Sequence, residues 1–209
     1  MISIILAGGR SSRFGCSKAF ERVGGKSLVQ WVIDRLTLLT KEILIVTAES
    51  VDFACSPSPP IRRVIDVYPG KGSLGGIYSG LVASSCSRAI VVACDMPFLS
   101  VALLGYMAQL APDFDVVVPR LGEMVEPLCA IYSKNCVVPI QGMLERNELA
   151  IRELFDAVRV KYVEEDSIDK FDPEHLSFFN VNTKADLDRA RGLSLTKGLA
   201  NGKYQRLES

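Results

Sequence analysis

The chain has a single histidine, His175, and its six cysteines (Cys16, Cys55, Cys86, Cys94, Cys129 and Cys136) form no CxxC pair. A Cys/His zinc site therefore has little to build on. Several cysteines sit inside apolar runs, where a free thiol behaves as a small hydrophobe. The reading is a reduced, cytoplasmic protein in which an isolated disulfide stays open. Net charge is missing too, since 24 Lys and Arg balance 24 Asp and Glu. Bulk electrostatic attraction to nucleic acid or to a membrane surface is thereby excluded, and any phosphate chemistry must use a local cluster of cations. No apolar run reaches the roughly 18–20 residues that cross a bilayer. The opening MISIILA is too short for a signal peptide and has no basic stretch before it. Neither GxxxxGK[ST] nor GxGxxG occurs, so a P-loop is excluded and a dinucleotide-binding Rossmann loop is unsupported. No internal repeat is visible.

What is present is a large reserve of core residues, 48% apolar over 209 residues, which suits one domain with at most a small appendage. Short β-branched runs at 2–6, 42–47, 62–65, 89–93, 115–119 and 128–132 read as strands. They are continuously apolar rather than alternating, which predicts burial on both faces, as in a mainly parallel sheet. Between them, Leu28, Val32, Leu36 and Leu39 make a helical stripe over 27–39, with Ser27 and Gln30 as its capping box. Helices are also expected over 73–84 and 100–110. The alternation predicts an α/β fold, a single Rossmann-like doubly wound sheet. Beyond residue 132 the pattern loosens. A helical stretch over 135–157 is expected, then a strand at 159–163, a polar loop at 166–175 and a last strand at 178–181. Thr183 and Asp186 form a T-x-x-D box opening a helix to about Arg191. The polar tail from Gly192 is expected to fray, and the three prolines within 54–60 mark a surface loop.

The segment after the first strand, LAGGRSSRFGCSKAF at 6–20, carries chemistry. Ligands of open α/β sheets bind beyond the carboxyl ends of the strands. There Gly8 and Gly9 allow a sharp turn whose N–H groups approach phosphate oxygens, and Arg10, Arg13 and Lys18 supply cations. A glycine turn with solvated arginines is the plainer alternative. The segment resembles the LAGGxSxRMGxDKAL motif of the molybdenum cofactor guanylyltransferases, the MobA family, within the wider nucleotidyltransferase group. Gly8, Gly9, Ser11, Arg13, Gly15, Lys18 and Ala19 stand as in the motif, whereas Phe14 replaces Met and Ser17 replaces Asp.

Three further stretches extend the resemblance. PGKGSLGGIYSGL at 69–81 is similar to the family's GPLAGI, with Ser73 for Pro and Gly75 for Ala. Glycine this dense costs about 1 kcal/mol each in an exposed helix interior. Either close helix–sheet packing or close approach to a ligand would offset it. The strand end AIVVACDMPFL places Asp95 after a buried run. A carboxylate there either begins a turn or holds Mg²⁺, which favours hard oxygens and completes its shell with phosphates and water. CDMPFL resembles the family's CDxPFL, while cytidylyl relatives read GDxP and LAAG, so the pairing of CDMP with LAGG is of the guanylyl type. FFNVNTKADL resembles F-x-NVNTPEDL, and Asn180 and Asn182 there fall on one side of an extended segment.

The resemblance, strongest at these four motifs, covers residues 1–191 as a nucleotidyltransferase domain, leaving 192–209 as the tail. It implies transfer of GMP from GTP to molybdopterin with release of pyrophosphate, and Mg²⁺ as cofactor. Lys18, Arg13 and Asp95 would be catalytic, with Asp95 the metal ligand. Leu6, Ala7, Gly8, Gly9, Lys18, Thr47, Asp66 and Asp95 would bind the nucleotide, Asp66 through guanine N1–H and its amine. Asn180 and Asn182 would support the site or face the acceptor. Cofactor-delivery proteins or apo-molybdoenzymes would be partners. The alternatives are a molybdopterin cytidylyltransferase or sugar-phosphate nucleotidyltransferase of the same fold, and a catalytically silent nucleotide-sensing or cofactor-delivery module. His175 is expected at the surface.

Overall fold

The computed structural model describes residues 1–8, 18–48 and 60–196. In chain order the strands are β1 (Ile2–Leu6), β2 (Arg22–Val23), β3 (Lys26–Ser27), β4 (Ile43–Thr47), β5 (Ile61–Ile65), β6 (Arg88–Ala93), β7 (Val116–Leu121), β8 (Met124–Val125), β9 (Cys129–Ser133) and β10 (Val160–Glu164). The helices are α1 (Leu28–Leu36), α2 (Gly72–Ala83), α3 (Val101–Leu110), α4 (Val137–Glu145), α5 (Glu165–Ile168) and α6 (Lys184–Thr196). The main sheet runs β10-β7-β9-β6-β1-β4-β5, with β8 paired to β7. β1 is parallel to both neighbours, and β9 runs antiparallel between β6 and β7. The expected mainly parallel, doubly wound sheet is what forms.

Strict alternation along buried strands divides the core. Ile2, Ile4 and Leu6 of β1 meet Leu74, Ile77 and Leu81 of α2 and share their cluster with Ile140 and Met143 of α4. Ile5 points the other way, into the cluster of α1 and α3 built on Val32, Leu36, Leu103 and Met107. Two fully dressed faces explain why these strands read as unbroken apolar runs. β5 departs from that expectation. It is the sheet edge, with Arg62, Arg63 and Ile65 exposed, and charge there blunts an otherwise open ladder. Burial pushes the Cys136 thiol up to about 12 and that of Cys129 higher still, so both act as packing groups.

A third, smaller cluster lies outside α1. Trp31 is fully buried there, donates its indole N–H to Val23 O at 2.8 Å and meets Phe98 edge-on, with Val181, Leu187 and Ala190 closing over it. The hairpin β2–β3 supplies Val23. Gly24 and Gly25, both at positive φ, make its two-residue turn, a signal the sequence reading passed over.

Several expectations change in detail. The helix expected over 27–39 ends at Leu36, and Ser27 caps it by accepting the Gln30 N–H at 3.3 Å. The Gln30 side chain does not close the box, because it donates to Asp34 instead. The stretch 135–157 breaks into a 3₁₀ turn, α4 and a second 3₁₀ segment, Ile151–Asp156. The polar stretch 166–175 begins inside α5 rather than as loop. Residues 178–181 pair with no strand: Leu176–Phe178 is a 3₁₀ turn, and the Val181 N–H goes to Asp95 O at 2.9 Å. The Thr183–Asp186 box forms in both directions. α6 continues past Arg191 to Thr196, because Ser194 is buried and Leu193 packs on the third cluster. The tail proper, 197–209, and the proline loop over 54–59 lie outside the described residues. His175 is half-buried, held at a left-handed φ of 52° and paired with Asp169 at 2.6 Å.

Candidate functional site

The crossover from β1 leaves over the α1 face toward β4, while β6 is reached over the α2 face. The strand order therefore reverses between β1 and β6, the place where open α/β sheets bind ligands. The chain leaving β1 is tied on both sides: Ala7 N donates to Val46 O at 2.9 Å, and Leu6 O accepts from Cys94 N at 3.1 Å. A Cβ on Gly8 would lie 3.3 Å from Ala48 N, so the turn runs tight against the end of β4. Gly9, Arg10 and Arg13 lie outside the described residues, as does the side chain of Lys18. The Lys18 backbone opens a 3₁₀ turn, Lys18–Phe20, whose Ala19 is buried in the same apolar cluster as Ala93 and Met96.

A shallow cleft of ≈ 10 Å³ at this rim is lined, among the described residues, by Leu6, Gly8, Val46, Thr47, Asp66, Gly72, Ser73 and Gly76. Four of the expected nucleotide contacts, Leu6, Gly8, Thr47 and Asp66, thus share one wall set with the start of α2. Thr47 is buried, and its carbonyl receives the Asp66 N–H at 2.9 Å. Asp66 Oδ1 accepts from Tyr68 N at 3.0 Å and from the Ser79 hydroxyl at 2.7 Å. Ser79 carries no flag in the sequence, being one hydroxyl on a helix. The two explanations for the α2 glycines divide along the helix. Gly72, at φ +65°, and Gly76 line the cleft, and a Cβ on Gly76 would press on Leu6 at 3.1 Å. One turn on, a Cβ on Gly80 would fall 2.6 Å from Ile4 Cγ2, so that glycine serves packing. The N-cap residue of α2, Lys71, makes no side-chain cap, and the first N–H groups of the helix lie at its cleft end.

Asp95 follows β6 by two residues and is half-buried on the same rim. Its loop is strapped down by the C-terminal segment. Besides the bond from Val181 N, Ser100 N donates to Ser177 Oγ at 2.7 Å and Ser100 Oγ to Phe171 O at 2.9 Å. Glu126 is a second carboxylate near Asp95. Burial pushes its carboxyl up and the Asp95 charge adds to that, while the Leu128 N–H, a donor at 3.3 Å, and Arg152 work against it. Its place at the rim comes from a strand direction that the sequence does not spell out. Because β9 runs antiparallel, the residues before it fall at the rim where the parallel strands end, and Ala93 N bonds Leu128 O at 3.1 Å. Without the strand direction, Glu126 has no address.

Asn180 and Asn182 do not act as a pair on one side. Asn180 Nδ2 turns back to Phe178 O at 3.2 Å. Asn182 instead lines a cavity of ≈ 280 Å³ with Glu21, Leu28, Val181, Thr183, Lys184, Leu187 and Arg191. The physical reason is the missing strand: 180–182 turns to meet the Asp95 loop and then the α6 cap, and the two-residue alternation is lost.

A glycine-lined cleft at the switch point of a doubly wound sheet, with an acidic residue at the next strand end, defines a nucleotide-handling enzyme. Residues 3–162 match the MobA-like NTP transferase domain, and the chain belongs to that family of nucleotidyltransferases. It is 34% identical over 189 residues to the molybdenum cofactor guanylyltransferase of Desulfosudis oleivorans, covering 90% of this chain and 92% of that protein. It is 36% identical over 191 residues to a protein of Pelotomaculum thermopropionicum named "Probable molybdenum cofactor guanylyltransferase", covering 90% of each. Among solved structures, the molybdopterin-guanine dinucleotide biosynthesis protein A of Archaeoglobus fulgidus superposes with a TM-score of 0.79 at 25% identity, over 94% of this chain and 100% of that one. The 2-C-methyl-D-erythritol 4-phosphate cytidylyltransferase of Thermus thermophilus, at 18% identity and a TM-score of 0.69 over 92% and 98% of the two chains, shares the fold.

Proposed function

We propose that this protein transfers GMP from GTP to molybdopterin, forming the guanine dinucleotide cofactor and releasing pyrophosphate. The observation that carries the reading is the meeting of Leu6, Gly8, Thr47 and Asp66 with the α2 glycines in one cleft, at the rim that also bears Asp95. The LAGG and CDMP motifs, both of the guanylyl type, support GTP over CTP. The terminal phosphate of the pterin attacks the α-phosphorus of GTP in line, the bond to the bridging oxygen breaks, and pyrophosphate leaves. An ionised phosphate needs no general base, so the protein acts by positioning and charge stabilisation.

The backbone at 6–9 holds the nucleotide, and Lys18 and Arg13 neutralise the triphosphate and the leaving group. Thr47 and Asp66 address the base. Asp95 fits a magnesium ion: it is a hard oxygen donor at a strand end, half-buried, where one or two carboxylates are completed by phosphate oxygens and water. When bound, Mg²⁺ would supply charge stabilisation to the phosphates. Asn182, in the cavity on the other side of the Val181 tether, stands on the acceptor side, with Asn180 in support. Partner proteins that deliver cofactor to apo-molybdoenzymes fit this product. No described helix is long and apolar enough to cross a membrane.

The test is pyrophosphate release from GTP, CTP and ATP in the presence of molybdopterin, with and without Mg²⁺. Acceptor-dependent, Mg²⁺-dependent release from GTP is expected. Equal or greater turnover of CTP would move the protein to the cytidylyl branch. Tight nucleotide binding without release would make it a sensing or delivery module.

A further inference from the structure

We propose that Ser79 is a positioning residue for base selection, setting the Asp66 carboxylate so that one oxygen is reserved for a ring N–H of the bound base. The inference rests on the proposal that Asp66 reads the base and adds the residue that makes that reading selective.

Ser79 is 2% exposed, on the face of α2 toward the sheet, and its Oγ has three partners. It accepts the Val67 N–H at 3.0 Å. Its single proton has two acceptors in reach, Asp66 Oδ1 at 2.7 Å and Gly75 O at 2.9 Å. A hydroxyl has only one proton to give, and the shorter contact is to an ionisable carboxylate, where a hydrogen bond is stronger. Oδ1 also takes the Tyr68 N–H at 3.0 Å, the Asx turn that ends the strand. Two donors thus hold Oδ1, one from the loop and one from the helix, and together they restrict rotation of the carboxylate. Among the described residues Oδ2 accepts no hydrogen bond, and Asp66 lines the cleft with Thr47 and Gly76.

An oxygen held this way accepts an N–H and repels a lone pair. Guanine and hypoxanthine present a protonated ring nitrogen, N1–H. Adenine presents an unprotonated N1 at the same edge, and cytosine an unprotonated N3. Discrimination of this kind is lost when the acceptor can rotate away, because the preference depends on a fixed direction. The Val67 N–H fixes the hydroxyl oxygen to the loop, and the Ser79 backbone belongs to α2, so Ser79 transmits the rigidity of the helix to the carboxylate.

The experiment measures the affinities of GTP, ITP and ATP for the wild type, Ser79→Ala, Ser79→Thr, Asp66→Asn and the Ser79→Ala/Asp66→Asn double variant. GTP and ITP should move together. Ser79→Ala should compress the GTP:ATP ratio by about tenfold, the scale of one lost charge-assisted hydrogen bond, with ATP affinity nearly unchanged. Ser79→Thr, which keeps the hydroxyl, should retain more of the ratio than Ser79→Ala. The double variant should match Asp66→Asn alone. An equal fall for all three nucleotides in Ser79→Ala would reveal a purely structural residue and overturn the proposal, as would no change at all. If Asp66→Asn leaves the ratio intact, base reading by Asp66 is itself wrong. If Asp66→Asn collapses the ratio and Ser79→Ala does not, only the role of Ser79 falls.

Discussion

Asp95 shows how much one residue can announce. A half-buried carboxylate two residues beyond the five buried residues of β6 needs compensation, because taking a charge out of water is costly. Asp95→Asn should lower kcat by about 10²–10³-fold, the range for removing one electrostatic stabiliser, with the urea midpoint unchanged. Unchanged turnover would remove Asp95 from the chemistry. Lys18→Ala should weaken GTP binding, measured calorimetrically, more than binding of guanosine, if the lysine addresses phosphates as proposed. Equal loss for both would contradict that role. The rim positions of Gly8, Thr47, Asp66 and Asp95 were legible because each lies at or just beyond the carboxyl end of a strand. Ser79 and Glu126 were not. The first is an ordinary hydroxyl whose meaning comes from Asp66, thirteen positions away. The second depends on the direction of the strand that follows it.

At the scale of elements, α2 packs its glycines onto β1. Gly80→Ala adds a methyl 2.6 Å from Cγ2 of Ile4, a β-branched side chain fixed in the central strand. The gain in helix propensity, about 1 kcal/mol, is opposed by an overpacking cost of about 1–3 kcal/mol. A net loss of about 1 kcal/mol is expected, read as a lower urea midpoint at constant slope. A rise in stability would show that Ile4 can yield. Five of the six long strands of the first two-thirds were legible as apolar runs bounded by turn residues, and the edge strand β5 as a β-branched run interrupted by Arg62 and Arg63. The segment 178–181 was not: its phenylalanines and valine satisfy β propensity, yet Phe179 and Val181 pack with Trp31 and Phe98, Phe178 turns to the α1 and α3 cluster, and the backbone bonds to a loop rather than a ladder. The hairpin of Arg22–Val23 and Lys26–Ser27 is too short to show alternation.

For the whole molecule, one acid residue joins three elements at the sheet's opposite end. Asp115 Oδ1 accepts from Asn135 Nδ2 at 2.7 Å, and Oδ2 from Arg159 N and Nε at 3.1 and 3.2 Å. Burial alone would raise its carboxyl, but these bonds and the Arg159 charge outweigh that and hold it at about 2. The folded value is below the unfolded one, so the contribution is full above about pH 4 and is lost as pH falls toward 2. It amounts to about 2 kcal/mol, and urea unfolding at pH 7, 4 and 2.5 should show the decline. Asp115→Asn should be less stable at pH 7 and should flatten that limb of the profile. A profile identical to wild type would remove Asp115 as its source. The sequence conveyed the sheet's composition but not its order, because strand order depends on which faces the crossovers take.

The hydrogen bonds from 171–181 onto the loop at 95–100 have a consequence for how the protein can be divided. The stretch that defines the family closes at residue 162, and every strand of the main sheet is complete by Glu164. A chain ended there would uncover Trp31 and Phe98, which pack with Val181, Leu187 and Ala190. It would also have lost the strap that holds the acid at the end of β6. The last quarter of this protein is therefore a brace for the corner that carries Asp95, and truncations made at the family boundary should lower both the urea midpoint and turnover.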